Sequence, residues 1–451
     1  MSVPDGGGND GARMTSGARL QLAGLAVCGV VIGVSVAWVA TFDPTREVTR
    51  FLWLTGVAVA AYAAGMALVA RGIPDSRGLL AGALLLAAVW RVPLVLAPPL
   101  LSTDIYRYIW DGRIQRLRHN PYGSAPADPA LQHLHSPLTR LTEHADLPTI
   151  YPPAAEIFFR AVASVDESVL AFKVAITLCD VVIALLLLGW LGVIDRSRWW
   201  VLAYAWHPLV ALEGAGSGHI DFLGVALLVG GAVALARRRG LLAATALALA
   251  VAVKFIPLVL APMVLGRLTW RHAAAGAGVL LALYAWFGVF LDGPVMGSLG
   301  EYARRWRFNG PAFGFFEGQF GMDAALALPI VVGWLVAAWV RGGPSESSGG
   351  WAWPLAATLL LMPAIYPWYL VWLVPFLAVG ATLPVGVWTL SVLLTYAVWA
   401  VDRAGGGWVL PPWVVPVEYG AVLAASLYAI SRPWCITTAA AITAATNPPA
   451  D

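Results

Sequence analysis

Residues 79–98, LLAGALLLAAVWRVPLVLAP, and the stretch that follows at 99–113, PLLSTDIYRYIWDGR, decide how this chain is read. The first is an unbroken apolar run of the length, about 20 residues, that carries an α-helix through the hydrocarbon of a bilayer. It ends at Pro98-Pro99, and a dense polar and aromatic cluster from Leu101 to Arg113 begins at once. Asp104 is thereby set at a membrane surface, where keeping a carboxylate is costly unless it serves a purpose.

Runs of the same kind recur along the chain, at 20–41, 51–71, 79–98, 168–191, 199–216, 219–236, 241–265, 272–291, 323–341, 351–365, 367–381, 383–401 and 413–431. With 59% hydrophobic and 12% charged residues, against roughly 25% charged in a soluble domain, the chain lacks the polar surface to cover itself in water. The fold expected is all-α, a polytopic transmembrane helical bundle of about 12–14 spans. Residues 18–432 form this domain, between a disordered cytoplasmic N-terminus at 1–17 and a tail at 433–451. The first run is too long for the apolar core of a secretory signal and is followed by no small-residue cleavage pattern, so it reads as an anchor. A net charge of +3 and the lack of a basic, aromatic-interleaved stretch argue against nucleic acid. Cys28, Cys179 and Cys435 have no ligand-like or disulfide-like spacing.

The run at 241–265 carries Lys254 and Pro257 near its middle. Proline breaks a helix and a buried ammonium wants a polar cavity, so two half-helices meeting near Lys254 are expected, as a hairpin that enters and leaves on one side. Arg13/Arg19, Arg71/Arg77, Arg196/Arg198, Arg237-Arg238-Arg239, Arg267/Arg271, Arg341 and Arg432 then all fall on one face, the cytoplasmic one. The other face receives two long loops, 99–167 and 292–322, and the turns near Gly216, Tyr366 and Asp402. In the first loop Ile105, Ile109, Trp110, Ile114 and Leu117 recur at helical spacing with charges between them, which predicts a helix lying along the interface and stopped by Asn120-Pro121-Tyr122-Gly123.

Asp104 has two readings, a general base that takes a proton from an attacking hydroxyl and an N-cap for a helix starting at Ile105. Arg91, near the outer end of its span, fits a lipid phosphate or simple snorkelling to the headgroups. Lys254 is too deep to snorkel and calls for a carboxylate or an anionic ligand. In Gly216-Ser217-Gly218-His219-Ile220-Asp221, close after Glu213, His219 and Asp221 can face a cavity. Two ligands without a third at a familiar spacing are weak support for zinc, which leaves phosphate or sugar binding against a plain polar turn. Arg304, Arg305 and Arg307 on the outer side break the positive-inside tendency and point to an anionic partner such as a lipid phosphate. The aromatics beside them, and Tyr366-Pro367-Trp368-Tyr369, fit sugar stacking or an interfacial belt.

Taken together, Asp104-Ile105-Tyr106-Arg107-Tyr108, Trp110-Asp111-Gly112, Asn120-Pro121-Tyr122, Thr149-Ile150-Tyr151-Pro152-Pro153, His207-Pro208, Gly216 to Asp221, Lys254-Phe255-Ile256-Pro257 and Pro367-Trp368-Tyr369 give the chain a resemblance. It resembles the GT-C superfamily of polyprenyl-phosphate-sugar-dependent glycosyltransferases, close to glycosyltransferase family 87 and the mycobacterial-type α-mannosyltransferases. The motifs spread over residues 80–380.

The resemblance implies inverting transfer of a sugar, mannose first, from a polyprenyl-phosphate donor to a hydroxyl of a glycolipid or cell-wall glycan, on the outer face of the plasma membrane. It makes Asp104 the catalytic base. Donor phosphate would be met by His219, Lys254, Arg304, Arg305 and Arg307, and substrate by Tyr106, Arg107, Tyr151, Asp221, Trp368 and Tyr369. No nucleotide or other cofactor is implied. Relatives often carry a second acid where this chain has Thr103, which favours a lone base over a metal site. The alternatives are a lipid-linked-sugar flippase or transporter, and a glycan ligase or polymerase using a lipid-diphosphate donor.

Overall fold

A computed structural model of the chain describes residues 15–431 apart from 292–293, 342–347 and 381. The expected tail at 433–451 lies outside the described residues, as does the N-terminal segment up to residue 14. In chain order the helices are α1 (Ser16–Val39), α2 (Val48–Ala70), α3 (Arg77–Leu96), α4 (Asp104–Arg116), α5 (Pro153–Val165), α6 (Val169–Val193), α7 (Leu202–Ala205), α8 (Pro208–Ala211), α9 (Asp221–Ala236) and α10 (Gly240–Val253). They continue with α11 (Ala261–Leu265), α12 (Trp270–Ala285), α13 (Leu299–Arg305), α14 (Pro311–Phe320), α15 (Met322–Val340), α16 (Ser348–Leu360), α17 (Val374–Gly380), α18 (Leu383–Ser391), α19 (Val398–Val401) and α20 (Val414–Ser431). No strand occurs among the described residues, which hold one isolated bridge, Phe308 to Ala364. The chain is an all-α polytopic membrane bundle.

Among the described residues, eight helices are long and apolar enough to cross a membrane: α1, α2, α3, α6, Trp270–Val289, α15, Leu383–Gly406 and α20. Their starts follow local chemistry. Thr15, Ser76, Ser168 and Thr269 each accept the backbone N–H three residues on, an arrangement worth about 1 kcal/mol per helix. The expected span at 199–216 is not one helix. His207 is extended (ψ 123°) because a residue before proline is pushed out of the helical region, and Pro208 restarts the chain as α8. A π-turn at Leu212–Ser217 then closes on Gly218 in the left-handed region (φ 79°).

The hairpin at 241–265 is present. After α10, Lys254 is extended (φ −159°, ψ 137°), and Ile256–Leu260 forms a 3₁₀ turn leading into α11. Gly240 at its start and Arg267, Thr269 and His272 beyond its end line one cavity, so the chain enters and leaves on the same side. The basic turns gather at that end. Trp199 donates to the Pro74 carbonyl (3.1 Å) and Arg267 to the Arg341 carbonyl (3.4 Å).

At the opposite end, α4 is more deeply placed than an interfacial helix. Ile105, Tyr108, Ile109, Trp110, Asp111, Gly112, Ile114 and Gln115 are all buried, and Leu117, expected on the apolar face, is exposed. The cause is α5, which covers α4 at Gly112, where a Cβ would stand 2.5 Å from the Phe159 carbonyl oxygen. The helix also ends before Asn120. Arg118 turns left-handed (φ 67°), and His119 and Arg118 donate to the Ile114 and Gln115 carbonyls (2.9 and 3.1 Å). That is a Schellman closure with arginine where glycine is usual.

Candidate active site

Asp104 is the first residue of α4. The cap position belongs to Thr103, whose side chain makes no capping bond, so the capping reading of Asp104 is not what the structure shows. Its carboxylate faces sideways, 3.5 Å from the Tyr151 hydroxyl and 3.7 Å from Nδ1 of His219. The Asp104 side chain is 38% exposed, whereas His219 is 1% exposed. A reachable carboxylate thus stands among buried hydroxyls and rings. Burial first, and the Asp104 charge second, hold the phenols of Tyr108 and Tyr151 well above their usual range. Both therefore stay neutral, and the Tyr151 hydroxyl is the one that donates to Asp104. The Asp221 charge acts on Tyr108 in the same direction.

His219 is wedged between acids. Nε2 lies 3.3 Å from Oε2 of Glu213, a fully buried residue on the π-turn, whose other oxygen accepts from the Tyr396 hydroxyl. Its plane is set by a column of parallel rings. Imidazole stacks on Trp368 (4.2 Å between centroids), Trp368 on Tyr366 (4.5 Å) and Tyr366 on Phe308 (4.6 Å). The far end is pinned where Phe308 donates to the Pro363 carbonyl (3.1 Å) and accepts from the Ile365 N–H (2.7 Å).

Asp221, two residues on from His219, opens α9 and turns the other way. Its Oδ1 accepts from Lys254 Nζ (2.8 Å) and from the indole N–H of Trp372 (2.6 Å). The ammonium also sits 4.0 Å over the Tyr369 ring, and the Tyr369 hydroxyl meets that of Tyr302 (2.7 Å). The carboxylate partner expected for Lys254 is Asp221. The break after α10 puts the ammonium there, since a continuous helix would carry it past.

A second carboxyl centre supports the first. Asp111 and Glu156 are both fully buried between α4 and α5. Arg107 donates to Asp111 (3.2 Å) and to the Leu147 carbonyl (2.7 Å), and Gln115 and Thr149 donate to the two oxygens of Glu156 (2.7 Å each). Burial first, and Asp111 beside it, push the Glu156 carboxyl well above the usual range, which favours its protonated form. Thr149 in turn accepts the Tyr151 N–H (3.2 Å), and Tyr122 bonds the Tyr151 carbonyl (3.0 Å). The phenol facing Asp104 is held by this frame.

Of the residues singled out in the sequence, the structure brings together Asp104, Tyr151, His219 and Trp368, and beside them Asp221, Lys254 and Tyr369. Arg107 belongs to the supporting frame. Tyr106 stays partly exposed, its carbonyl accepting from Thr142 (3.3 Å). Arg304 pairs with Asp323 (2.6 Å), Arg305 with Glu301, and Arg307 with Glu317 (3.1 Å), so each arginine of this loop is engaged by a nearby carboxylate. Arg91 neither snorkels nor waits for a lipid. It is buried on Asp180 (2.5 Å) and the Ala205 carbonyl (3.2 Å). Glu213, Tyr108, Tyr302, Trp372 and Tyr396 were missed. An acid inside the glycine-rich turn was a readable sign for Glu213, while nothing local announces Tyr396, 183 positions away.

Two family models match the chain. One, described as alpha-(1->6)-mannopyranosyltransferase, N-terminal domain, covers residues 13–270, and glycosyltransferase family 87 covers residues 149–395. The chain is similar to a probable alpha-(1->6)-mannopyranosyltransferase of Mycolicibacterium smegmatis (strain ATCC 700084 / mc(2)155), 24% identical over 365 residues, 66% of this chain. The match spans 64% of that relative's length. No solved structure matches. With the polar cluster around Asp104 lying within the first matched region and the aromatic turn at 366–369 within the second, this chain belongs to glycosyltransferase family 87 and to the alpha-(1->6)-mannopyranosyltransferase family.

Proposed function

We propose that this protein is a membrane mannosyltransferase that moves a sugar from a polyprenyl-phosphate donor to a hydroxyl of a glycolipid or cell-wall glycan, with inversion. The observation that carries this reading is the half-open Asp104 carboxylate, ringed by buried phenols and aromatic planes. Asp104 accepts the proton of the acceptor hydroxyl while that oxygen bonds to the anomeric carbon. The anomeric C–O bond breaks, and its electron pair leaves on the lipid phosphate. The leaving group departs as an anion, so it needs positive charge more than a general acid. Lys254 and His219 stand nearest to supply it. Arg304, with its exposed ion pair worth about 0–1 kcal/mol, can exchange Asp323 for a phosphate arriving from the membrane. Trp368, stacked between His219 and Tyr366, presents its edge rather than a face to a sugar. The arginine-rich turns at the other end of the bundle support placing this site on the outer side of the plasma membrane.

The test is transfer itself. Purified protein receives polyprenyl-phosphate-mannose and an α-mannoside acceptor, with Asp104→Asn in parallel. Wild type should form the glycosidic product and the variant should not. No transfer by wild type from any polyprenyl-phosphate donor, or full activity in Asp104→Asn, overturns the mechanism. A second reading, movement of lipid-linked sugar across the membrane, draws on the broken helix at Lys254. Equal flipping by both forms in vesicles would favour it.

A further inference from the structure

Lys173, one turn into α6, is fully buried. Its Nζ donates to the carbonyls of Leu94 (2.5 Å), Ala97 (2.8 Å) and Pro98 (3.4 Å), three acceptors at the end of α3. The local sequence creates the need for such a donor. In a continuing helix the Leu94 carbonyl would accept from residue 98, but Pro98 has no N–H, and Pro99 fails the Val95 carbonyl in the same way. Ala97 is extended (ψ 160°) and α3 stops. A lysine from another helix thus supplies what the two prolines withhold. From Pro98 a short strap, with Leu100 and Leu101 buried, runs straight to Asp104, whose N–H is taken by the Ser102 hydroxyl (3.2 Å).

The same side chain packs on the opposite wall of the site. A Cβ on Gly218 would stand 3.2 Å from Lys173 Cγ and 2.9 Å from Ile105 Cδ1, and Gly218 is left-handed (φ 79°), a position that glycine fills. Leu100 of the strap lies against Gly216 in the same manner, 3.2 Å from where a Cβ would be. Gly218 closes the π-turn by donating to the Glu213 and Gly214 carbonyls (3.0 Å each), and the next residue is His219. Strap and glycine turn therefore meet on one lysine, the first leading to Asp104 and the second to His219, which face each other at 3.7 Å. We propose that Lys173 is a positioning residue that fixes the Asp104 carboxylate against His219 and so aims it at the acceptor hydroxyl. The proposal rests on the reading of Asp104 as the base. Lys173 acts through the strap, and a shift of about 1 Å in a reacting group is enough to cost about 10²-fold in rate.

The test uses the purified full chain in detergent, with hydrogen–deuterium exchange measured beside transfer from polyprenyl-phosphate-mannose to an α-mannoside. Lys173→Met keeps an apolar stem and removes the donor. It should speed exchange of the Leu100–Asp104 amides by about tenfold and leave those of α20 as in wild type. Its kcat should fall by about 10²-fold with KM little changed, the split expected when only the reacting geometry is lost. Lys173→Met combined with Pro98→Ala separates positioning from capping, and keeps the test decisive if the single variant folds poorly. Alanine returns an N–H to the Leu94 carbonyl but leaves the Ala97 and Pro98 carbonyls unanchored. The double variant should therefore regain thermal stability while kcat stays low. Recovery of wild-type kcat in it reduces Lys173 to a helix cap and overturns the proposal. Unchanged strap exchange or unchanged kcat in Lys173→Met overturns it too. If wild type transfers no sugar, the glycosyltransfer reading fails, and the exchange comparison alone decides whether Lys173 anchors the strap.

Discussion

Two carboxyl centres stand seven residues apart on α4 and are built in opposite ways. Asp111 is fully buried, its charge met by Arg107, with Glu156 beside it. Asp104 is 38% exposed and has only a long contact to Tyr151 and an imidazole at 3.7 Å. A buried polar network stabilises a fold only when every member is satisfied. The Asp111 centre meets that condition, and the Asp104 centre leaves a lone pair for something that comes from outside. The difference separates a satisfied joint from an open carboxylate on one short helix.

The comparison breaks most readily at Asp104. Asp104→Asn should lower kcat by about 10²- to 10⁴-fold, the span of general base catalysis, with little change in thermal unfolding. A loss of stability comparable to the loss of activity would make Asp104 a second joint. The converse holds for Glu156→Ala, which leaves the Thr149 hydroxyl without its acceptor, removes one of the three acceptors of Gln115 and empties buried volume between α4 and α5. It should cost about 3 kcal/mol or more in denaturant unfolding. Tyr151→Phe removes one hydrogen bond to the Asp104 carboxylate. We expect about a 3- to 10-fold fall in kcat/KM, from about 0.5–1.5 kcal/mol. The smallest effect should be that of Glu156→Gln, about 1 kcal/mol at low pH.

Its pH dependence is diagnostic. Folded Glu156 keeps its proton above 4.5, where the unfolded side chain releases it. Over that interval the folded state binds more protons, so wild-type stability falls as pH rises, by up to about 1.4 kcal/mol per pH unit, and it is fully present only below the unfolded value. Glu156→Gln should lack this slope. Identical slopes in the two proteins would show Glu156 ionised in the fold.

Much of this architecture could be read from residue order. Apolar length marked the long crossing helices but not the break at His207-Pro208, proline and lysine together located the break at Lys254, and the polar cluster after Pro98 marked the end where the candidate site lies. What escaped has physical reasons. A period of apolar residues shows which side of α4 is greasy, but not that α5 would close over the other side, because Gly112 permits that approach without announcing it. Charge alone made Arg304, Arg305 and Arg307 look available, while Asp323, Glu301 and Glu317, which engage them, were ordinary loop acids in the sequence. Arg91 had the same ambiguity until Asp180 appeared across the bundle. Pairing between distant segments is a property of packing, and a single chain read in order does not contain it.

Gly224 has no polar atom, yet its lack of a side chain leaves room for the indole that bonds Asp221, the partner of Lys254. It sits one turn into α9 after Asp221, and a Cβ there would stand 2.3 Å from the Trp372 ring. That indole is fully buried and has no free volume into which to swing. A single added methyl must therefore push Trp372 away, stretch its bond to Asp221 and loosen the carboxylate that holds Lys254. Gly224→Ala should register as weakened donor use, a rise in KM, before it registers as unfolding. A survey of variants that watched only acids, bases and rings would pass over this position, although shape there does the work of a functional group.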